Sequence, residues 1–164
     1  LLNNNTLDWV YYIDKDLDPK LVEYGKNAVK AFGMKERFFH IEFFKTKDDY
    51  IAIEYNNRPA GAFAVDVYNF AHSTDYFRVY AEVVNETFNG LNVDEKYGLA
   101  STRRDYKDYV YSDEDIRNKY QDKLKAVLRM PEAFAELQGN TMYVLVADTL
   151  EEMKEMERFV GKLK

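Results

Sequence analysis

The stretch His40-Ile41-Glu42-Phe43-Phe44, followed after a polar turn by Ile53-Glu54-Tyr55-Asn56-Asn57-Arg58-Pro59-Ala60-Gly61, decides how this chain is read. Both segments are rich in β-branched and aromatic residues, and Thr46-Lys47-Asp48-Asp49 lies between them. The pattern predicts a β-hairpin with strands over residues 37–45 and 50–56. Side chains alternate faces along a strand, so Glu42 shares a face with Phe44, and Glu54 with Asn56. Pairing about a turn centred near residues 47 and 48 sets Glu42 opposite residues 53 to 54, to within a one-residue slip. Two carboxylates and a carboxamide oxygen then fall on one small patch, with Arg58 just past the strand end. Hard oxygen ligands without histidine or cysteine suit Mg²⁺ or Mn²⁺ rather than zinc. Two carboxylates held close together also call for a neutralising cation. Arg58 and the backbone turn through Gly61 suit an anionic phosphate or acyl phosphate. The same residues are equally those of a plain hairpin with exposed glutamates and a polar exit loop.

Upstream of the hairpin, the run from Leu7 to Ile13 is short and β-prone and reads as a strand. Asp18-Pro19 opens a helix with Leu21, Val22, Ala28, Val29 and Phe32 on its apolar face, and Gly33 ends it. Downstream of Gly61 the chain turns helical, and Ser73 or Thr74 is expected to cap a helix running to about Glu86. A polar loop over residues 85–95 leads into a second pattern of alternating elements. Strands are predicted over 97–104, 123–130 and 141–147, and helices from Asp113, Pro131 and Thr149. Leu124, Ala126, Leu128 and Met130 alternate with period two despite the lysines among them. Thr149-Leu150-Glu151-Glu152 has the spacing of a capping box, with Met153, Met156, Phe159 and Val160 at helical spacing behind it. The fold class is α+β, because strands and helices interleave while the hairpin makes the sheet at least partly antiparallel.

Composition removes several alternatives. With 164 residues, 46% of them apolar, the chain can bury a core without needing a second domain. Its net charge is −6 with lysines and arginines scattered, so no basic stripe exists to engage nucleic acid. Cysteine is absent, which excludes disulfides and thiolate zinc sites. No apolar run approaches the roughly 20 residues of a membrane span, and no signal segment opens the chain. A cytoplasmic location is the expectation. The opening Leu1-Leu2-Asn3-Asn4-Asn5 does not look like a natural start, and the chain is expected to be a fragment.

The hairpin residues resemble the ATP-grasp superfamily, in which a Glu on one strand, a Glu-x-Asn on the next and an Arg two residues later form the metal end of the ATP site. The flanking words FFHIEFF (38–44), EYNNRPAGAF (54–63) and NFAHSTDYFRVYAE (69–82) are similar to its carbamoyl-phosphate-synthase and biotin-carboxylase-like branch, and in particular to carboxylate–amine ligases. The likeness is good over residues 7 to 90 and weaker beyond. It implies that residues 1–90 are the C-terminal part of an ATP-grasp domain, a mostly antiparallel sheet with packed helices. Residues 91–164 would be a smaller α/β extension packed on it. By the same resemblance Glu42, Glu54 and Asn56 are metal ligands, with Glu54 bridging two Mg²⁺ ions. Arg58 holds the carboxylate substrate or the transferring phosphoryl group, Phe44 packs against adenine, and Gly61 lets the backbone approach the ligand. The implied reaction is activation of a carboxylate by ATP as an acyl phosphate, followed by attack of an amine or similar nucleophile. ATP, Mg²⁺ or Mn²⁺, and carboxylate and amine substrates are the implied partners in the full-length protein, and a homodimer is compatible with it.

Two features depart from that pattern. Relatives often carry a glycine pair after Arg-Pro, whereas Ala60-Gly61-Ala62 keeps one glycine. The phosphate-gripping lysines, the glycine-rich flap and the adenine hinge lie N-terminal of this region in the superfamily, and none is identifiable here. The fragment alone is therefore expected to be inactive and to need the missing N-terminal part of the same protein. A non-catalytic binding or interaction domain of the same fold is the alternative reading. His40 is expected to be a satisfied structural histidine. His72 is expected at a helix junction, and Asp66 either as a helix cap or as a substrate contact. The tyrosines at 97, 106, 109, 111 and 120 are read as covering a sheet.

Overall fold

The computed structural model describes residues 6–164, so the Leu1–Asn5 opening lies outside the described residues. Strand β1 (Val10–Ile13) precedes helix α1 (Pro19–Ala31). The Asp18 side chain accepts from the backbone N–H of Lys20, Pro19 needs no N–H partner, and Gly33 takes the left-handed φ of +64° that ends the helix. The hairpin follows as β2 (His40–Lys45) and β3 (Tyr50–Asn56). It starts three residues later than the sequence suggests, because Glu36 adopts a positive φ of 55° that breaks extended structure. Helices α2 (Ala64–His72) and α3 (Tyr76–Val84) come next. Ser73 turns left-handed between them, and Asp75, not Ser73 or Thr74, caps α3 by accepting from Phe77 and Arg78 N–H.

The remaining elements are β4 (Tyr97–Arg103), α4 (Asp113–Lys119), β5 (Leu124–Arg129), α5 (Glu132–Gln138), β6 (Thr141–Ala147) and α6 (Leu150–Gly161). Each lies within a residue or two of its sequence expectation. Ser112 and Asp115 form a capping box at the start of α4. At α6 Thr149 accepts from Glu152 N–H, but the Glu152 carboxylate reaches back to the N–H of Asp148 instead of closing the box on Thr149. Every strand pair is antiparallel, so the architecture is α+β. No helix among the described residues is long and apolar enough to cross a membrane.

Contacts divide the chain into two compact units. One comprises the residues up to Lys15, Phe70–Ser73 and Asp94–Lys164. It holds a four-stranded sheet in the order β1-β4-β6-β5. Leu99 pairs with Leu145 and Tyr97 with Ala147, and on that face Ile116, Met153, Met156 and Val160 close a core. The heptad-like spacing of α6 thus buries its apolar stripe against the sheet. Just before β1, Trp9 stays tied to β4, its N–H donating to the Thr102 hydroxyl at 2.8 Å and its carbonyl accepting from the Thr102 N–H at 2.9 Å.

The other unit comprises Asp16–Asn69 and Thr74–Val93. Its hairpin packs α1 against one face. Tyr55 stacks on Phe32 with ring centroids 4.3 Å apart, and the Tyr50 hydroxyl donates to Asp18 at 2.8 Å. Lys20 pairs with Asp49 at 3.1 Å and ties the helix start to the hairpin turn.

Candidate functional site

The ladder of the hairpin sets the site. Lys45 pairs with Tyr50, Phe44 with Ile51 and Phe43 with Ala52, after which the register shifts and Glu42 pairs with Glu54, Ile41 with Tyr55 and His40 with Asn56. A regular ladder from the turn would have set Glu42 opposite Ile53 and turned Glu54 toward α1. Ile53 is the extra residue of a β-bulge, and it returns Glu54 to the face of Glu42. Residues directly opposite in an antiparallel pair share a face. One face therefore carries Tyr55, Phe43 and Tyr50 toward α1. The other carries His40, Glu42 and Phe44 from β2, and Ile51, Glu54 and Asn56 from β3.

On that second face Phe44 is 61% exposed and Ile51 56%. Glu42 and Asn56 are half-buried and Glu54 is exposed. His40 is not the satisfied structural histidine that the sequence suggests. Its Nε2 lies 3.7 Å from Glu42 Oε1, while its Nδ1 is buried without a hydrogen-bond partner. Asn56, paired with His40, likewise has a buried Nδ2 with no partner. Other buried polar atoms share that state, among them the Tyr55 and Tyr120 hydroxyls, Ser101 Oγ and Arg103 Nη2, so it does not by itself mark a site. Like charges directly opposite on a ladder repel. Two carboxylates and a carboxamide oxygen are a donor set that fits a hard divalent cation completing its shell with water and phosphate oxygens. Among the described residues, no group of three or more His, Cys, Asp and Glu side chains is arranged to hold a metal ion. The third donor would have to be the amide of Asn56.

Arg58 lies beyond the strand end, exposed, with Nη1 donating to the carbonyl of its neighbour Pro59 at 2.9 Å. Gly61 stands beside it, where an added Cβ would come 3.8 Å from Arg58 Nη1. Ala62 follows with a left-handed φ of 52°. That conformation is cheap for glycine and strained for alanine.

Other polar residues serve the fold. Asp66 sits in the first turn of α2, inside the helix rather than capping it. His72 ends α2, as the junction reading has it, and burial pushes its pKa down while Glu95 opposes the shift. Arg103 is buried, donating to the carbonyls of Val160 and Tyr111 at 2.8 Å each, with its guanidinium over the Tyr109 ring. Arg104 is buried too and gathers the carbonyls of Leu7, Glu136 and Leu137. Burial pushes the Tyr109 hydroxyl up to about 12. Tyr97 and Tyr120 are in the core, Tyr111 stacks on Phe159, and Tyr106 is exposed.

Sequence reasoning missed one feature of this unit. An apolar hollow of about 200 Å³, bordered by His40, Pro59 and Ala60, opens at the Asn56 end of the hairpin. Its walls come from segments far apart in the sequence, and no local pattern announces it.

Neither the protein-family profiles nor the curated proteins yield a match to this chain. Solved structures do. An L-amino acid ligase from Bacillus licheniformis superposes with a TM-score of 0.67 and 16% identity, covering 91% of this chain and 41% of that one. Phosphoribosylglycinamide synthetase from Anaerococcus prevotii gives 0.64 and 13%, covering 94% and 44%. The ATPase subunit of phosphoribosylaminoimidazole carboxylase from Aquifex aeolicus gives 0.62 and 17%, covering 94% and 46%. The chain spans less than half the length of each. Identities this low speak for backbone shape, and that shape, α+β with antiparallel strands, is the ATP-grasp fold.

Proposed function

We propose that the face of Glu42, Glu54 and Asn56 is the divalent-cation end of an ATP site, in a ligase that activates a carboxylate for attack by an amine. What carries this reading is the bulge at Ile53. It brings a second carboxylate opposite the first, where like charges repel unless a cation lies between them, and the same shift turns Tyr55 onto Phe32 of α1. The ATP-grasp fold and the open apolar residues Phe44 and Ile51 on the same face lend further support.

In the proposed reaction a substrate carboxylate oxygen attacks the terminal phosphorus of ATP, and ADP leaves. The amine nitrogen then attacks the acyl carbon, loses a proton, and inorganic phosphate departs. Such chemistry asks mainly for positioning and charge neutralisation. Glu42, Glu54 and Asn56 would hold Mg²⁺ or Mn²⁺, which supplies positive charge to the phosphoryl oxygens. Arg58 would exchange its bond to the Pro59 carbonyl for a bidentate grip on the substrate carboxylate or the transferring phosphoryl group. Gly61 leaves the space beside that guanidinium clear, and Phe44 offers a flat apolar surface to the adenine. The rest of the ATP site would come from the N-terminal part of the full-length protein.

The test is turnover of the intact protein, followed as ADP release that depends on both a carboxylate and an amine. Glu54→Gln preserves the strand and should lower the rate by roughly 100-fold or more, about the cost of losing a preorganised charge at a transition state. Undiminished turnover in Glu54→Gln would remove the reading.

A further inference from the structure

The hollow at the Asn56 end of the hairpin has a defined chemistry. Phe38, Phe39, Val65, Tyr68 and Tyr76 form its walls, and His40, Pro59 and Ala60 complete it. The rings brace one another. Phe38 meets Tyr76 edge-on at 6.1 Å and Tyr80 at 4.9 Å, and Tyr68 meets Tyr76 edge-on at 6.0 Å. Burial also pushes the Tyr68 hydroxyl up, in keeping with a low-dielectric surround. The walls are thus pre-formed, which is the usual state of a small-molecule site. Its volume of about 200 Å³ exceeds the roughly 150 Å³ of an apolar cavity known to admit benzene. The lining contains no carboxylate, ammonium or guanidinium group, and His40, Tyr68 and Tyr76 are its only polar side chains, so a fully charged occupant would recover little of its lost hydration.

Its position is equally specific. Pro59 and Ala60 directly follow Arg58, whose guanidinium already rests on the Pro59 carbonyl. His40 pairs with Asn56 across the ladder. The hollow therefore begins where the proposed carboxylate grip ends. We infer that it receives an uncharged, ring-sized side chain of the carboxylate substrate, so that the substrate is an acid bearing an aromatic or bulky branched group. The inference rests on the reading of Arg58 as the carboxylate anchor. Ala60 has the smallest side chain in the lining, so a larger residue there should fill part of the hollow.

The test measures binding of three acids to the intact protein with Mg²⁺ and a non-hydrolysable ATP analogue, by calorimetry or ligand-observed NMR. The probes are 3-phenylpropionate, propionate and glutarate. The expected result is at least tenfold tighter binding of 3-phenylpropionate than of the other two. Ala60→Leu should weaken 3-phenylpropionate at least tenfold more than propionate and so erase that preference, with a thermal melt reporting that the variant is folded. Val65→Phe, a second enlargement in the lining, should act in the same direction. Equal binding of all three acids, with propionate still weakened by Arg58→Gln, would overturn the hollow's role and leave the reading of the site intact. A ring preference that persists in both Ala60→Leu and Val65→Phe would overturn it as well. A preference lost in those variants but untouched by Arg58→Gln would overturn the anchoring on which the inference rests.

Discussion

Along β6 the residues from Met142 to Ala147 are at most 4% exposed, while along β3 Ile51 is 56% and Ile53 48% exposed. Both strands are antiparallel and of similar composition, yet they treat their side chains in opposite ways. In the four-stranded sheet most charged groups are engaged by the fold, although Arg103 Nη2 and Ser101 Oγ are buried without a partner. Arg103 and Arg104 are buried with carbonyl partners, and Lys123 pairs with Asp148 and Glu152. In the hairpin one face packs on α1 and the other keeps two opposed carboxylates, two orphaned polar atoms and exposed apolar side chains. The difference teaches where each property resides: the sheet carries the stability of its unit, and the hairpin leaves one face open, which is the face proposed to bind.

The sharpest way to break this contrast is to truncate matched residues in the two regions. Leu145→Ala, in a fully buried position, should cost about 3–5 kcal/mol, whereas Ile51→Ala should change stability by no more than about 0.5 kcal/mol. Urea melts of the two variants would read this directly, and a cost of several kcal/mol at Ile51 would mean that its face is packed. Next in size is Gly139→Ala. Gly139 has a φ of +95°, and a Cβ there would lie 2.9 Å from Thr102 Oγ1 and 3.0 Å from the Arg103 carbonyl. Strained backbone and overpacking together predict a loss of about 2–4 kcal/mol in the same melts. The smallest effect concerns pH. Burial holds the folded pKa of His72 below its ordinary 6.5, so the unfolded chain binds the proton more readily. Its contribution to stability is present above pH 6.5 and is lost as pH falls below that value. The melting temperature should drop between pH 7 and pH 5.5, roughly the window in which histidines titrate, and His72→Gln should flatten that part of the profile.

Much of the fold is legible in the sequence because it is locally encoded. Asp18-Pro19 and Gly33 bracket α1, and Leu124, Ala126 and Leu128 mark β5 by alternation alone. Met153, Met156 and Val160 lie on the buried stripe of α6 as their spacing implies. The order β1-β4-β6-β5 is not legible, since pairing Val10 with Ser101 depends on contacts far apart in the chain. Where three polar residues compete for a cap, as Ser73, Thr74 and Asp75 do ahead of α3, sequence names the neighbourhood but not the residue. The candidate site shows the same limit. Spacing puts Glu42 near Glu54, but the bulge that settles their common face has no glycine or proline to signal it. The proximity of His40 to Glu42 follows from register. The hollow brings Phe38, Tyr68 and Tyr76 together across more than thirty positions, beyond the reach of any periodicity.

The central claim is that the open hairpin face is built around a cation and a nucleotide. Crystals of the intact protein soaked in Mn²⁺ and a non-hydrolysable ATP analogue test it most directly. The account predicts an anomalous peak between the side chains of Glu42, Glu54 and Asn56, and its loss in Glu54→Gln. A peak elsewhere with the analogue bound, or Glu42 and Glu54 lying on opposite faces of the hairpin, would contradict it.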